Sequence, residues 1–191
     1  GANGDHVAIE RLLRMIGEDP KREGLRDTPK RVRKAWAFFS SGYNQKPNDV
    51  LKAFEDGAEG TDEMVFQGSI PLWSMCEHHM LPFWGVAHIG YLPSGKVLGL
   101  SKFSRLVDVF ARRLQVQERL TVQVADALME GLTPLGVGVV LQCRHTCMEA
   151  RGVQKAGSVT MTTALRGAFK DEPHVKAEFL ANVRLAAEGS W

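Results

Sequence analysis

The sequence is poor in cysteine and has no long hydrophobic run. Its three cysteines, Cys76, Cys143 and Cys147, are an odd number, which disfavours a closed disulfide framework. No run of about 18 apolar residues occurs, so we expect no transmembrane helix and no membrane partner. Residues 1–5 lack the basic and apolar segments that begin a secretory signal, and we therefore expect a cytoplasmic protein. In that reducing compartment, spaced cysteines serve metal binding or catalysis more often than crosslinking.

The chain also carries little net charge. Its 24 Lys and Arg residues stand against 22 Asp and Glu residues, which leaves +2 when histidine is neutral. This balance gives no overall attraction to nucleic acid, so we expect no nucleic-acid partner, and any anion site must be a local cluster. With 44% hydrophobic and 24% charged residues, the 191-residue chain has the composition of a folded protein rather than a disordered one.

The N-terminal third has helical character. Thr28 and Pro29 mark a helix start, and apolar side chains at helical spacing follow as far as Phe39. Residues 53–63 are acidic and rich in glycine, and they show no periodicity. We therefore predict an N-terminal helical segment, residues 1–60, and a second domain, residues 61–191, that carries the candidate catalytic residues.

The second domain combines strands with helices. Stretches rich in β-branched and aromatic residues predict strands at residues 64–74, 84–92, 97–100, 137–148 and 159–165. Helices are predicted at residues 102–113 and 120–132, and a last helix opens near Pro173. Hairpin strands interrupted by two helices predict an α+β fold with a largely antiparallel sheet.

The densest cluster of candidate ligands surrounds Cys76 and His79, which are three residues apart and can point at one ion. Thiolate and imidazole are the ligands that zinc prefers, but a catalytic ion needs a third. Alternation on the predicted strand 137–148 puts Cys143, His145 and Cys147 on one face. Cys143 and Cys147 are about 13 Å apart on a strand and cannot share an ion. We predict the set Cys76, His79 and Cys147, with an open fourth position typical of catalytic zinc.

Two other interpretations of this cluster stay open at this stage. A closed structural zinc site would use Cys143 or His145 as the fourth ligand. A redox pairing of Cys76 with Cys147 would use no metal. In the catalytic interpretation, His78 and His145 lie beside the metal without binding it, and they are the natural proton carriers near neutral pH. His88 is interpreted as a hydrogen-bonded strand residue rather than a ligand.

A second cluster predicts binding of phosphates and a purine. Lys102 and Arg105 share one face at a helix start, where backbone N–H groups attract anions. Arg151 follows Cys147 by four residues, so its guanidinium can reach the edge of the metal site. Glu118 can accept two N–H bonds from a guanine edge. The alternative to phosphate binding is that these basic side chains are simply solvated. The alternative to base binding is that Glu118 lies at a helix N-terminus because the helix dipole favours it there. No P-loop and no zinc deaminase signature is present.

Together these motifs resemble the GTP cyclohydrolase I family. The resemblance covers residues 8–185 and rests on four segments, Ser74-Met75-Cys76-Glu77-His78-His79, Gly99-Leu100-Ser101-Lys102, Gln115-Val116-Gln117-Glu118-Arg119-Leu120-Thr121 and His145-Thr146-Cys147-Met148 with Arg151-Gly152-Val153. It implies a tunnelling fold (T-fold), an antiparallel sheet with helices on one face, preceded by N-terminal helices. It further implies subunits that join into barrels and a homodecamer with its sites at subunit interfaces.

The resemblance also implies residue roles and a reaction. One Zn²⁺ per subunit would be held by Cys76, His79 and Cys147, and the proton-transfer residues would be His78 and His145. The implied substrate contacts are Glu118 and Gln117 for guanine, Lys102, Arg105 and Arg151 for triphosphate, Ser101 near the ribose, and Arg31 from a neighbouring subunit. The implied reaction converts GTP to 7,8-dihydroneopterin triphosphate and formate, the first step of folate and tetrahydrobiopterin biosynthesis.

Two rival functions are weighed against this one. A tunnelling-fold nitrile reductase of queuosine synthesis would use Cys76 as a nucleophile with a nicotinamide cofactor, and would need no metal. A non-catalytic assembly protein would hold a structural zinc. The pair His78 and His79, together with Cys147, argues against the reductase, since that reaction has no use for three metal-type ligands.

Overall fold

The computed structural model describes residues 2–56, 58 and 60–188. The helices are α1 (Ala2–Met15), α2 (Thr28–Phe39), α3 (Pro47–Val50), α4 (Ser101–Ala111), α5 (Gln117–Leu132), α6 (Thr146–Glu149), α7 (Ala168–Asp171) and α8 (Pro173–Glu188), with 3₁₀ turns at Glu23–Leu25 and Ser41–Asn44. The strands are β1 (Ala53–Phe54), β2 (Val65–Cys76), β3 (Pro82–Leu92), β4 (Val97–Leu98), β5 (Leu114–Gln115), β6 (Gly136–His145) and β7 (Thr160–Gly167). In the described part of the chain, no helix is long and apolar enough to cross a membrane.

The chain divides into two compact units, residues 1–41 and residues 42–191. The first unit contains α1 and α2, in which Leu13 and Pro29 are buried. Pro29 lies in the first turn of α2, where the N–H that proline lacks would have no helical partner. The second unit contains all the strands named above, and with them every candidate metal ligand.

A five-stranded sheet forms the centre of the second unit, in the order β5-β2-β3-β6-β7. Its neighbouring strands are antiparallel except for β2 and β5, which pair in parallel at residues 75–76 and 114–115. The predicted α+β class and largely antiparallel sheet are confirmed. A separate two-stranded sheet joins β1 to β4.

Helices cover both faces of the five-stranded sheet. On one face, Val139, Leu141 and Cys143 of β6 pack in a core with side chains of α4 and α5. On the other face, Val140 packs in a second cluster with Phe179 of α8. The predicted packing of helices on one face is confirmed for α4 and α5, and α8 adds cover on the other face that was not predicted. Successive side chains of a strand point to opposite faces of the sheet. Because the apolar run in β6 is unbroken, both faces must be shielded from water.

Two element boundaries near the candidate site differ from the predicted ones. β6 ends at His145, and Cys147 lies in the short helix α6 rather than on an extended strand. α5 begins at Gln117, so Glu118 lies in its first turn rather than in a loop before it. Strand alternation therefore places Cys143 correctly in the core, but it cannot place Cys147.

His88 lies on the face of β3 that α8 covers, opposite Val140 in the strand register. Its Nδ1 accepts the Ser69 backbone N–H at 3.3 Å, and Phe66 stacks on its ring. The interpretation of His88 as a hydrogen-bonded strand residue is confirmed. Because the side chain is fully buried, desolvation lowers the pKa of His88 below its ordinary value.

We expect this histidine to make folding sensitive to mild acid. The folded state favours the neutral ring, so below the ordinary pKa of 6.5 the unfolded chain binds more protons and the free energy of unfolding falls. One such group gives a limiting slope of about 1.4 kcal/mol per pH unit. Urea unfolding over a pH series should show a shallower decline in His88→Asn, whose amide oxygen can still accept the Ser69 N–H. Equal slopes in the two proteins would contradict this assignment.

Candidate active site

The turn between β2 and β3 presents the first two candidate metal ligands. Cys76 ends β2; its N–H donates to the Leu81 carbonyl at 2.8 Å, and its own carbonyl accepts the Met80 N–H at 2.8 Å. The tight turn closed by these bonds carries His78 and His79. The Nδ1 atom of His79 lies 3.8 Å from the Cys76 Sγ.

Helix α6 brings the third candidate ligand to the same place. The Thr146 hydroxyl donates to the Pro82 carbonyl at 2.6 Å, which holds the start of α6 against β3. One ligand atom from each of Cys76, His79 and Cys147 lies within 4.8 Å of the other two. Among the side chains that the structure describes, no other group of three or more His, Cys, Asp or Glu residues is close enough to hold a metal ion.

The donor set fits a small divalent ion with one vacant position. Ligand atoms at about 2.0–2.3 Å from a tetrahedral ion lie roughly 3.3–3.8 Å apart, and the separation of 3.8 Å between Cys76 and His79 is at the upper end of that range. Burial, together with the neighbouring Cys76 sulfur, raises the pKa of the Cys147 thiol. A bound cation would favour both thiolates and remove that penalty. The three residues therefore form a group suited to a metal.

Neither alternative fourth ligand joins this group. Cys143 is fully buried in the core, and burial raises the pKa of its thiol to about 12. His145 also lies outside the group of side chains whose ligand atoms are within 4.8 Å of one another. All three cysteines are free thiols. The closed structural site is therefore not supported.

His145 is held in one orientation by two contacts. Its ring stacks on Phe83 at 4.7 Å between centroids, and its Nε2 lies 2.8 Å from the Gln117 Oε1. The Gln117 amide nitrogen donates to Leu141 O, Thr160 O and Thr162 Oγ1 at 3.0–3.1 Å, which fixes its oxygen as the acceptor. Nε2 of His145 therefore carries the hydrogen, and Nδ1 is left for the cavity. Burial lowers the pKa of His145, while the Glu118 carboxylate acts in the opposite direction.

These contacts add a role for Gln117 that the resemblance does not imply. The side chain is buried, its nitrogen donates to strand oxygens and its oxygen accepts from His145, so Gln117 orients His145. The oxygen keeps a second lone pair, and the help of Gln117 in guanine binding stays a prediction.

A cavity of about 210 Å³ brings the predicted residues together. The cavity lies where the end of β2, the β2–β3 turn, the start of α5 and the β6–α6 junction meet, with single residues added by β3, β5 and β7. The residues that line it are Cys76, His78, Phe83, Gln115, Val116, Gln117, Glu118, His145, Cys147, Met148 and Thr160. Two metal-ligand candidates, both candidate proton carriers and the candidate base anchor thus share one site. The Nδ1 of His78 lies 4.0 Å from the Cys76 Sγ.

The predicted phosphate-binding residues are placed differently. Arg151 lies at the edge of the metal group, with its Nη1 3.0 Å from the His79 Nε2. Lys102 and Arg105 lie on the first turns of α4 beside the exposed Ser101, and none of these three lines the cavity in a single chain. Arg31 lies on α2 in the first unit, where its exposed side chain pairs with Asp27 at 3.6 Å.

Known proteins resemble this chain over most of its length. The profile described as GTP cyclohydrolase I matches residues 6–184 of the sequence. The chain belongs to the GTP cyclohydrolase I family. Two relatives, each named GTP cyclohydrolase 1, come from Janthinobacterium sp. (strain Marseille), at 55% identity over 91% of this chain and 88% of the relative, and from Nitrosospira multiformis, at 56% identity over 90% of each.

A third GTP cyclohydrolase 1, from Deinococcus radiodurans, is 53% identical over 93% of this chain and 82% of its own. The predicted family membership is thereby confirmed. Among solved structures, the apo form of the archaeosine synthase QueF-Like aligns with 55% of this chain and 93% of its own, at 21% identity and a TM-score of 0.44. That degree of likeness does not establish a shared fold.

Sequence reasoning on this cyclohydrolase family member missed two residues that shape the site. Phe83 supplies the surface on which the His145 ring stacks, and Gln115 pairs with Cys76 across the parallel β2–β5 contact. Gln115 lies in one of the matching motifs, so a signal was present, although its pairing with Cys76 depends on tertiary structure. Phe83 carries no comparable signal, because an aromatic residue at a strand start is usually a core residue.

Proposed function

We propose that this chain is a GTP cyclohydrolase I, which hydrolyses and rearranges GTP to 7,8-dihydroneopterin triphosphate and releases formate. The observation that carries the proposal is the shared cavity. Cys76 and Cys147 of the metal group, the oriented His145 and the carboxylate of Glu118 all line it. Its product would feed folate or tetrahydrobiopterin biosynthesis.

The metal we propose is one Zn²⁺ per subunit, held by Cys76, His79 and Cys147. Two sulfurs and one nitrogen form a ligand set found in catalytic zinc sites. Bound there, zinc would act as a Lewis acid and activate water for attack on the base.

Glu118 is the proposed anchor for the guanine base. A carboxylate can accept two N–H bonds from the edge of guanine and none from an edge that presents only acceptors. Its place in the first turn of α5 favours the negative charge, and the first N–H groups of a helix have no partner within it. Those N–H groups, beginning at Gln117, can donate to a carbonyl on the same base.

His145 and His78 are the proposed proton carriers. Because the Nε2–H of His145 donates to Gln117, Nδ1 is the atom that can take a proton from the water that adds to C8 and pass it to the imidazole ring of guanine as its C8–N bond breaks. His78 also lines the cavity, next to Cys76, and can exchange protons there. Ser101 would lie near the ribose.

The remaining roles require more than one chain. Arg151 would bind the triphosphate from the edge of the metal group, with Lys102 and Arg105, and Arg31 would come from a neighbouring subunit. Residues 65–74 of β2 and the outer side of β7 are sheet edges without a strand partner among the described residues, and open edges favour strand pairing between copies.

We therefore propose a tunnelling-fold barrel and a homodecamer with its sites at subunit interfaces. The division into a helical segment, residues 1–60, and a catalytic domain, residues 61–191, stays a prediction, as does a cytoplasmic location.

The direct test uses the full chain loaded with zinc and supplied with GTP. We expect formate release in a one-to-one ratio with a product that becomes fluorescent on oxidation, as a neopterin does. Prior removal of zinc by a chelator should stop both, and added Zn²⁺ should restore both. Metal-independent, nicotinamide-dependent reduction of a nitrile, with no formate from GTP, would favour the reductase instead.

A further inference from the structure

Glu77 and Arg119 form an ion pair between two parts of the site. Glu77 stands between Cys76 and His78 in the β2–β3 turn, while Arg119 follows Glu118 on α5. The Nη2 of Arg119 donates to the Glu77 Oε2. The pair thus connects the turn that carries metal ligands to the helix end that carries the proposed base anchor.

Arg119 is held on its other side by Gln115. Its Nε donates to the Gln115 Oε1 at 3.3 Å, and the buried Gln115 amide donates in turn to Phe110 O at 2.9 Å and to Gln123 Oε1 at 2.8 Å. The backbone adds a bond at the same place, since the Glu77 N–H donates to the Gln115 carbonyl at 3.0 Å. The guanidinium is therefore fixed to the core while it holds Glu77.

Stability does not explain this arrangement. Arg119 lies in the first turn of α5, where the helix dipole disfavours a cation. The two side chains are 43% and 34% exposed, and ion pairs in contact with solvent add little to folding. The pair adds little to the free energy of unfolding, and the helix dipole disfavours its arginine. We therefore attribute to the pair a role in the geometry of the site.

We propose that the Glu77–Arg119 ion pair positions the metal centre relative to the base anchor. It fixes the β2–β3 turn, and with it Cys76 and His79, against the helix end that carries Glu118. A base held by Glu118 then meets the metal centre at its reacting carbon. Small errors in such a distance reduce rates by large factors. The inference rests on the proposed function and makes Glu77 and Arg119 positioning residues, since neither lines the cavity.

A mutant cycle of Glu77→Ala, Arg119→Ala and the double variant tests the proposal in the zinc-loaded full chain. We expect each single change to lower kcat roughly tenfold or more, with KM for GTP changed less than about threefold. The double variant should be no slower than the slower single variant, because either change breaks the pair. One zinc per chain should be retained, but its transfer to a competing chelator should be faster in all three variants.

Asp126→Asn is the matched control. Asp126 lies further along α5, pairs with Arg166 of β7 and is similarly exposed to solvent. It should leave kcat and chelator transfer unchanged. Additive losses in the double variant, or a lower melting temperature with kcat and zinc transfer unchanged, would overturn the positioning role. If the proposed function itself were wrong, the unsubstituted chain would release no formate from GTP. The rate of zinc transfer to the chelator would still show whether the ion pair holds the metal centre in place.

Discussion

Replacement of Cys147 by alanine is expected to abolish both zinc binding and turnover. The change leaves two of the three proposed ligands, Cys76 and His79, and catalytic zinc sites use three. We expect zinc content to fall below about one-tenth of an ion per chain after desalting, and kcat for formate release to fall roughly a thousandfold or more. Metal analysis and a GTP turnover assay on the same preparation measure the two effects.

Cys143→Ala is the control for this change, because it removes a thiol from the same segment of chain. Cys143 is buried in the core and lies outside the metal group, so zinc content and kcat should stay within about twofold of the unsubstituted protein. The free energy of unfolding should fall by about 1 kcal/mol, because the smaller side chain leaves a cavity. Stoichiometric zinc in Cys147→Ala, or its loss in Cys143→Ala, would show that the ligand assignment is wrong.

The metal group is predictable from sequence because bond lengths limit the choices. On a continuous strand, Cys143 and Cys147 would lie too far apart to share an ion, so the sequence predicts that only one of them joins Cys76 and His79. The structure confirms that Cys147 lies near them, but by another local route, a helical turn after β6. The choice of residues follows from chemistry, whereas the backbone path depends on where the strand ends.

The contacts of Gln117 could not be predicted in the same way. An amide next to Glu118 suggests a partner in base binding, and nothing in the linear pattern argues otherwise. Its actual partners, His145, Leu141, Thr160 and Thr162, lie 24 to 45 residues away on β6 and β7. Only the register of the folded sheet brings them around one buried side chain, so the role of Gln117 belongs to tertiary structure.

The cover that α8 gives to the second face of the sheet could have been predicted from the sequence of β6. Val139, Val140 and Leu141 are consecutive apolar residues, whereas a strand with one solvent-exposed face would have a polar residue among them. The run predicts burial on both faces, which α8 provides through Phe179. The proposed phosphate-binding roles of Lys102 and Arg105 cannot be judged from one chain, because the proposed site would be completed by another copy.

Replacement of His145 by alanine should separate turnover from metal binding. The ring lines the cavity but lies outside the metal group, so one zinc per chain should be retained. In the proposed reaction Nδ1 protonates the guanine ring while Nε2 stays bonded to Gln117, so the substitution removes the proposed general acid. Such losses lower rates by about 10²- to 10⁴-fold, and we expect kcat for formate release to fall by that factor.

Two further variants distinguish proton transfer from packing at His145. Gln117→Met keeps the ring but removes the oxygen that orients it, so kcat should fall by less than in His145→Ala while zinc is retained. His88→Asn changes another buried histidine, on the opposite face of the sheet, and should leave kcat unchanged because that ring is outside the cavity. If His145→Ala kept kcat within about threefold, or lost its zinc, the ring would have a structural role and the proton would come from elsewhere.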